Sequence, residues 1–195
     1  MNRAVFLDRD GVINELIYYR DMGMVDSPFT VKQFRLLPGS GEAINIINRL
    51  NFKAIIVSNQ PGIARGHFSE ETLTLMNIKM KRQLARLDAF LDGIYYCFHD
   101  PKGKNRRYRK VCNCRKPKPG LLIKASKDFD IDLSRSYMIG DELTDIQTGR
   151  SVGCKTILLG RMKCQLCKLM QDKGIFPDII VSDLLEAAKH IKRRG

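Results

Sequence analysis

The chain has 195 residues, a hydrophobic fraction of 44% and a charged fraction of 28%, values typical of one soluble globular domain. They exclude an intrinsically disordered chain and collagen, and no apolar run approaches the roughly 20 residues of a membrane-spanning helix. The net charge is +13, and nine of the 34 Lys and Arg residues lie in 101–120, which contains no Asp or Glu. This local basic segment favours an anionic ligand.

Short apolar runs alternate with helical patterns along the whole chain. The predicted strands are Arg3–Leu7, Lys53–Val57, Gly93–Cys97, Ser136–Ile139, Lys155–Leu159 and Asp178–Val181. Helices are predicted over 41–50, from an N-cap at Ser69 to about 87, from Pro119 to about 127, after GDELTD at 140–145, and from about Asp183. This alternation predicts a doubly wound, Rossmann-like α/β fold, in which helices cover both faces of a parallel sheet. We expect a single domain over residues 1–195.

The N-terminal sequence MNRAVFLDRDG does not resemble a signal peptide, because charged residues interrupt its apolar stretch. We therefore expect a cytoplasmic protein. Six cysteines without an export signal are unlike a disulfide framework, so the close Cys and His pairs are candidates for metal binding.

Polar residues follow four of the predicted strands, at the sheet edge where ligands of α/β folds bind. These residues are Asp8, Asp10 and Gly11; Ser58, Asn59 and Gln60; Arg115 and Lys116; and Asp141 with Asp145. Paired aspartates can hold Mg²⁺, and a carboxylate can act as a nucleophile or exchange a proton. A hydroxyl and an ammonium group can neutralise a transferring phosphoryl group. The combination predicts phosphoryl transfer, although each motif alone is also typical of a helix cap.

The motifs DRDGV at 8–12, SNQ at 58–60, Lys116 and GDxxxD at 140–145 resemble those of the haloacid dehalogenase superfamily. The resemblance implies that Asp8 is the nucleophile, that Asp10 is the general acid and base, and that Ser58 and Lys116 stabilise the phosphoryl group. It also implies Mg²⁺ ligands at Asp8, the main-chain carbonyl of Asp10, and Asp141, with Asp145 orienting the site. The motif spacing leaves no room for a large cap domain.

Longer stretches at 8–14, 58–66, 93–101 and 112–120 resemble the D-glycero-D-manno-heptose 1,7-bisphosphate 7-phosphatases. This resemblance implies a Mg²⁺-dependent hydrolase of carbohydrate metabolism that removes the C7 phosphate through an aspartyl-phosphate. Its substrate contacts would be Asn59, Gln60, Arg65 and Arg115. Histidinol-phosphate phosphatases share the Cys/His loop and are the alternative, but GIARG at 62–66 favours the heptose enzymes. Residues 18–28 and the CxxC at 164–167 lie outside the shared pattern.

A zinc-binding loop is predicted at 97–114. Cys97, His99, Cys112 and Cys114 offer the four ligands of a tetrahedral structural zinc site. The intervening residues include few apolar ones, so bound metal would supply the free energy that orders them. A loop held in this way would direct Lys116 at the reacting phosphate and Arg115 at a second phosphate. The alternative is that these are two chance cysteine pairs.

A zinc-containing nucleic-acid-binding protein is a further alternative, from a different class. The basic segment contains only one aromatic residue, Tyr108, which makes base stacking a poor fit. We therefore expect a small anionic sugar phosphate or bisphosphate as the partner, without nucleic acid or membrane, and a monomer. The CxxC at 164–167 is expected to hold free or packed thiols, and Met76 and Met80 are expected in the core.

Overall fold

The structure is a computed structural model that describes residues 1–160 and 164–194. Its strands are β1 (Arg3–Leu7), β2 (Ile17–Tyr19), β3 (Met24–Asp26), β4 (Phe52–Asn59), β5 (Gly93–Cys97), β6 (Tyr137–Gly140), β7 (Lys155–Leu159) and β8 (Ile179–Val181). Its helices are α1 (Ser40–Arg49), α2 (Gly62–Arg65), α3 (Glu70–Ala85), α4 (Gly120–Asp128), α5 (Leu143–Ser151), α6 (Cys164–Lys173) and α7 (Leu184–Arg194). Short 3₁₀ helices cover 20–22 and 133–135.

Six strands form one parallel sheet in the order β5-β4-β1-β6-β7-β8, and β2 pairs with β3 in an antiparallel hairpin. After β1 the chain adds β4 and β5 on one side, and it then returns to place β6 on the other side. This reversal opens a crevice at the carboxyl end of β1, where ligands of such sheets bind. The fold therefore brings the polar ends of β1, β4 and β6 together.

Apolar side chains fill both faces of the sheet. Along β1, Val5 and Leu7 join a cluster with α1, α3 and α7, whereas Ala4 and Phe6 join a second cluster with α4. A third cluster lies between β7, α5 and α6 and includes the partly buried Cys167. Met76 and Met80 are fully buried, as expected for core residues. Because these clusters cover the sheet on both sides, the strand ends carry the site on a rigid base.

The predicted doubly wound fold is confirmed, and the predicted strands and helices agree with the structure to within one or two residues at most ends. β4 extends to Asn59, so Ser58 and Asn59 belong to the strand itself. The sequence did not indicate the β2–β3 hairpin, because strands of three residues are too short to show an alternating pattern. Within the described ranges, no helix is long and apolar enough to cross a membrane.

Candidate active site

Asp8, Lys116 and Asp145 meet at the carboxyl end of β1. The Nζ atom of Lys116 lies 2.9 Å from Oδ1 of Asp8 and 2.5 Å from Oδ1 of Asp145. Burial lowers the pKa of Lys116, but the carboxylates of Asp145 and Asp8 outweigh burial and raise it above its usual value. Burial raises the pKa of Asp145 to about 7, although Lys116 opposes this shift. The arrangement fixes one positive charge beside the Asp8 carboxylate, where a transferring phosphoryl group needs it.

Two glycines allow carboxylates to approach the main chain closely. Gly11 has a φ of +79°, and a Cβ atom there would lie 2.1 Å from Oδ2 of Asp141. A Cβ atom at Gly140 would lie 2.1 Å from Oδ2 of Asp145. Asp145 also accepts the N–H of Glu142 at 3.1 Å, as part of the capping box that begins α5. Larger residues at either glycine would displace the carboxylates.

Asp8, Asp141 and Asp145 form a set of carboxylates whose oxygens lie within 4.8 Å of one another. Burial, together with the charges of Asp8, Asp145 and Glu142, raises the pKa of Asp141 to about 8. A divalent cation would relieve this repulsion, and carboxylate oxygens are ligands that Mg²⁺ prefers. Both oxygens of Asp145 already have partners, Oδ1 with Lys116 and Oδ2 with the N–H of Glu142, and this buried side chain does not line the cavity. Asp8 and Asp141 do line the cavity, so they fit the cation best.

Asp10 has quite different surroundings from Asp8. Its Oδ1 atom accepts hydrogen bonds from Arg9 Nη2 at 2.9 Å and Asn14 Nδ2 at 2.8 Å, and its Oδ2 atom accepts one from Gln60 Nε2 at 2.6 Å. Gln60 also donates to Ser58 Oγ at 3.2 Å. Arg9 is fully buried; burial lowers its pKa, but Asp10 and Tyr96 outweigh burial and raise it above its usual value. These contacts fix the orientation of the Asp10 carboxyl group.

The main chain of Lys116 forms two hydrogen bonds with the side chain of Asn59, the last residue of β4. Its N–H donates to Asn59 Oδ1 at 3.0 Å, and its carbonyl accepts from Asn59 Nδ2 at 3.2 Å. A side-chain amide can make this reciprocal pair because it carries one donor and one acceptor. Asn59 thereby determines where the loop after β5 delivers Lys116.

The predicted zinc ligands lie together at the end of β5. Cys97 Sγ is 3.1 Å from Cys114 Sγ and 3.5 Å from Cys112 Sγ, and His99 Nδ1 is 3.2 Å from Cys114 Sγ. All four ligand atoms lie within 4.8 Å of one another. The two sulfur–sulfur distances exceed the disulfide length of about 2.05 Å. Three thiol sulfurs and one imidazole nitrogen converging on one point fit a tetrahedral zinc ion.

A cavity of about 310 Å³ opens above the strand ends. Besides the catalytic candidates it is lined by Arg65, Arg115 and Asp26. Arg65 Nε lies 2.7 Å from Oδ2 of the buried Asp100, and Arg115 Nη1 donates to the carbonyl of His99 at 3.1 Å. Burial raises the pKa of Asp100, but the N–H of Lys102 and then the Arg65 and Arg115 guanidinium groups lower it below its usual value overall. The cavity therefore combines an acidic floor with basic walls.

Most predicted site residues line this cavity: Asp8, Asp10, Ser58, Asn59, Arg65, Arg115, Lys116 and Asp141. Gln60 is buried behind Asp10, and Asp145 lies beneath Lys116. The roles given to these residues stay predictions.

Sequence reasoning missed Arg9, Asn14 and Asp26. The position of Arg9 between Asp8 and Asp10, just after a buried strand, was a signal for it. The partners of Asn14 and Asp26 are visible only in the folded chain.

Comparisons with known proteins agree with this geometry. A HAD-hydrolase-like family model matches residues 113–187. The D-glycero-beta-D-manno-heptose-1,7-bisphosphate 7-phosphatase of Haemophilus influenzae is 35% identical over 193 residues, which cover 99% of this chain and 98% of that protein. The enzyme of the same name from Escherichia coli K12 is 41% identical over 157 residues, or 80% of this chain and 78% of that protein.

Solved structures show the same similarity. The crystal structure of D,D-heptose 1,7-bisphosphate phosphatase from B. bronchiseptica, complexed with magnesium and phosphate, has a TM-score of 0.80 and 29% identity, with 99% of both chains covered. Fold and site together define a phosphatase of the haloacid dehalogenase superfamily. Within that superfamily, the chain belongs to the family of the D-glycero-D-manno-heptose 1,7-bisphosphate 7-phosphatases.

Proposed function

We propose that this protein hydrolyses the C7 phosphate ester of D-glycero-D-manno-heptose 1,7-bisphosphate through an aspartyl-phosphate at Asp8. The observation that carries the proposal is the Asp8 carboxylate, which lies 2.9 Å from the buried Lys116 ammonium group in a cavity lined by two arginines. Lys116 provides positive charge at the reacting phosphate, and the arginines provide it for a second one. Relatives of this family carry the name of the same activity.

In the first step, a carboxylate oxygen of Asp8 attacks phosphorus and forms an acyl phosphate. The bond between phosphorus and the C7 oxygen breaks, and Asp10 donates a proton to that oxygen. Lys116 and the hydroxyl group of Ser58 balance the negative charge on the phosphoryl oxygens. Arg9, Asn14 and Gln60 hold Asp10 in the orientation needed for this proton transfer.

In the second step, water attacks the phosphorus of the aspartyl-phosphate while Asp10 accepts a proton from that water. The bond between phosphorus and Asp8 breaks, which releases inorganic phosphate and restores the Asp8 carboxylate. Asp10 thus acts first as an acid and then as a base, and Lys116 keeps its charge throughout.

Two metals fit the residues present. Asp8, Asp141 and the carbonyl oxygen of Asp10 would hold Mg²⁺, which supplies positive charge to the phosphate oxygens when bound. Cys97, His99, Cys112 and Cys114 would hold Zn²⁺, which orders the loop at 97–114. The four zinc ligand atoms lie within 4.8 Å of one another, and so do carboxylate oxygens of Asp8 and Asp141, which supports these parts of the two assignments.

Direct substrate contacts are proposed at Arg65 and Arg115, which line the cavity. Of the other two predicted contacts, Asn59 would act through the Lys116 main chain that it bonds, and the buried Gln60 would act through Asp10. Arg115 would bind the phosphate at C1, since a guanidinium group matches phosphate with two parallel hydrogen bonds. A monomer, and one phosphatase domain over residues 1–195, stay predictions from the sequence. A cytoplasmic location stays a prediction from the sequence.

A phosphate-release assay tests the proposal. Purified protein with Mg²⁺ is given heptose 1,7-bisphosphate, hexose monophosphates and histidinol phosphate at equal concentrations. We expect the highest kcat/KM for the heptose bisphosphate. A higher kcat/KM for histidinol phosphate would overturn the proposal in favour of the alternative enzyme.

A further inference from the structure

The two arginines that line the cavity, Arg65 and Arg115, form hydrogen bonds with adjacent residues of the loop at 97–114, namely Asp100 and His99. Arg65 comes from the end of α2, and its Nε atom lies 2.7 Å from the Asp100 carboxylate. Arg115 directly follows Cys114, the last residue of the loop at 97–114, and its Nη1 atom donates a hydrogen bond to the carbonyl of His99 at 3.1 Å. The side chain of Asp100 is only 9% exposed, and both of its oxygens have protein partners: Oδ2 contacts Arg65, and Oδ1 accepts a hydrogen bond from the N–H of Lys102.

These attachments leave much of each guanidinium group available to a ligand. A guanidinium group has five N–H donors in a fixed plane, and the Nε contact of Arg65 occupies only one edge of it. An arginine that is already held loses less conformational freedom on binding than a free one. Both side chains line the cavity that also contains Asp8.

We propose that Asp100 is a positioning residue that holds Arg65 in place next to Arg115, so that the two arginines together bind the phosphate that is not cleaved. The identity of this ligand as the C1 phosphate of a sugar bisphosphate rests on the proposed function. Because Asp100 directly follows His99, ordering of the metal-binding loop also sets the spacing of the two guanidinium groups.

A second carboxylate near Arg65 serves as a contrast. Asp26 at the end of β3 also lines the cavity, and its Oδ2 atom lies 3.9 Å from Arg65 Nη1. At this distance it makes no hydrogen bond, and its charge opposes an anionic ligand in the cavity. Two carboxylates beside one arginine should therefore have opposite effects: Asp100 should favour anion binding, and Asp26 should oppose it.

The first experiment measures calorimetric binding of the product, heptose 1-phosphate, to the full-length protein. We expect Asp100→Asn to weaken binding about tenfold, at the lower end of what one charge-assisted hydrogen bond contributes. Asp100→Glu should restore most of the affinity, and the matched control Asp26→Asn should bind as well as the wild type or more tightly. Equal weakening by Asp100→Asn and Asp26→Asn would overturn the proposal.

Kinetics separate positioning from a loss of structure. Asp100→Asn should raise KM for the bisphosphate about tenfold while kcat stays within about threefold, and p-nitrophenyl phosphate hydrolysis should be nearly unchanged. Because Asp100 acts through Arg65, adding Asp100→Asn to Arg65→Gln should have little further effect. Equal losses on both substrates, or additive losses in the double variant, would contradict the role.

The two proposals fail separately. If wild-type protein binds heptose 1-phosphate and Asp100→Asn weakens that binding, but the bisphosphate is not hydrolysed, the proposed function falls and the role of Asp100 stands. If the bisphosphate is hydrolysed and Asp100→Asn binds the product normally, the role of Asp100 falls and the proposed function stands.

Discussion

Asp8 and Asp10 are two residues apart, yet their surroundings suit them to different tasks. Asp8 faces the Lys116 ammonium group and two further carboxylates, an environment in which an attacking oxygen and a cation can both be placed. Asp10 is held through three side chains, those of Arg9, Asn14 and Gln60. A carboxyl group fixed in this way can transfer a proton along one direction.

Substitutions at these two residues should therefore differ in the step that they block. Asp8→Asn should reduce turnover by at least about three orders of magnitude, because an amide cannot form the acyl phosphate. Asp10→Asn should still be phosphorylated by p-nitrophenyl phosphate, whose leaving group needs no proton, but its phosphoenzyme should hydrolyse slowly. Stopped-flow measurement should show a burst of one p-nitrophenolate per active site in Asp10→Asn. A burst in Asp8→Asn would contradict the assignment of the nucleophile.

The raised pKa of Asp141 makes the stability of the metal-free protein dependent on pH. With a folded pKa of about 8 against the ordinary 3.8, folded Asp141 retains a proton that the unfolded chain releases between these values. Stability should therefore fall as pH rises from about 5 to 8, by up to about 1.4 kcal/mol for each pH unit from this group. Asp141→Asn should flatten this part of the fall, and Mg²⁺ should offset it in the wild type only. Denaturant unfolding at several pH values measures both; identical slopes in the two proteins would contradict the account.

At the scale of elements, the site depends on three strand ends and one long loop. β1, β4 and β6 deliver Asp8, Ser58 and Asp141 by sheet geometry alone. Lys116 arrives from the loop after β5, and it is placed by the reciprocal hydrogen bonds with Asn59. This loop has few apolar residues of its own, so the cluster of Cys97, His99, Cys112 and Cys114 is the feature that would order it.

Zinc removal should therefore impair catalysis without removing a catalytic group. We expect one zinc per chain, and Cys112→Ser with Cys114→Ser should lose it and reduce kcat/KM through misplaced Arg115 and Lys116. Cys154→Ala is a matched control, because Cys154 is a buried free thiol outside the cluster. Elemental analysis of each purified protein measures the metal content. Full zinc retention by the double variant, or full activity of zinc-free protein, would contradict the assignment.

The features predictable from the sequence are those encoded locally. The apolar runs predicted the strands. The polar residues that follow these runs predicted that Asp8, Ser58 and Asp141 lie close together at one edge of the sheet. The β2–β3 hairpin could not be predicted, because its short strands are stabilised by tertiary contacts such as the hydrogen bond from Tyr19 to the carbonyl of Ser27. The contact between Arg65 and Asp100 joins residues 35 positions apart and needs the folded sheet to appear.

At the scale of the whole molecule, nine of the positive charges behind the net charge of +13 lie in residues 101–120, and two of these nine residues, Arg115 and Lys116, line the cavity. Arg115 and Lys116 belong to this segment but are expected to act on different phosphates. Arg115→Ala should lower kcat/KM for the bisphosphate by about tenfold to a hundredfold, and it should have little effect on a monophosphate ester. Lys116→Ala should lower kcat/KM for both substrates alike. Steady-state kinetics with the two substrates measures this, and equal losses from Arg115→Ala would remove its role at the second phosphate.

The central claim concerns which ester of the bisphosphate is hydrolysed, and ³¹P NMR of the reaction in progress tests it most directly. With heptose 1,7-bisphosphate, Mg²⁺ and wild-type protein, we predict that the resonance of the C7 ester disappears while inorganic phosphate grows and the C1 ester persists. Asp8→Asn should leave the spectrum unchanged over the same time. Loss of the C1 resonance before the C7 resonance would contradict the account. So would persistence of both resonances with wild-type protein that hydrolyses p-nitrophenyl phosphate.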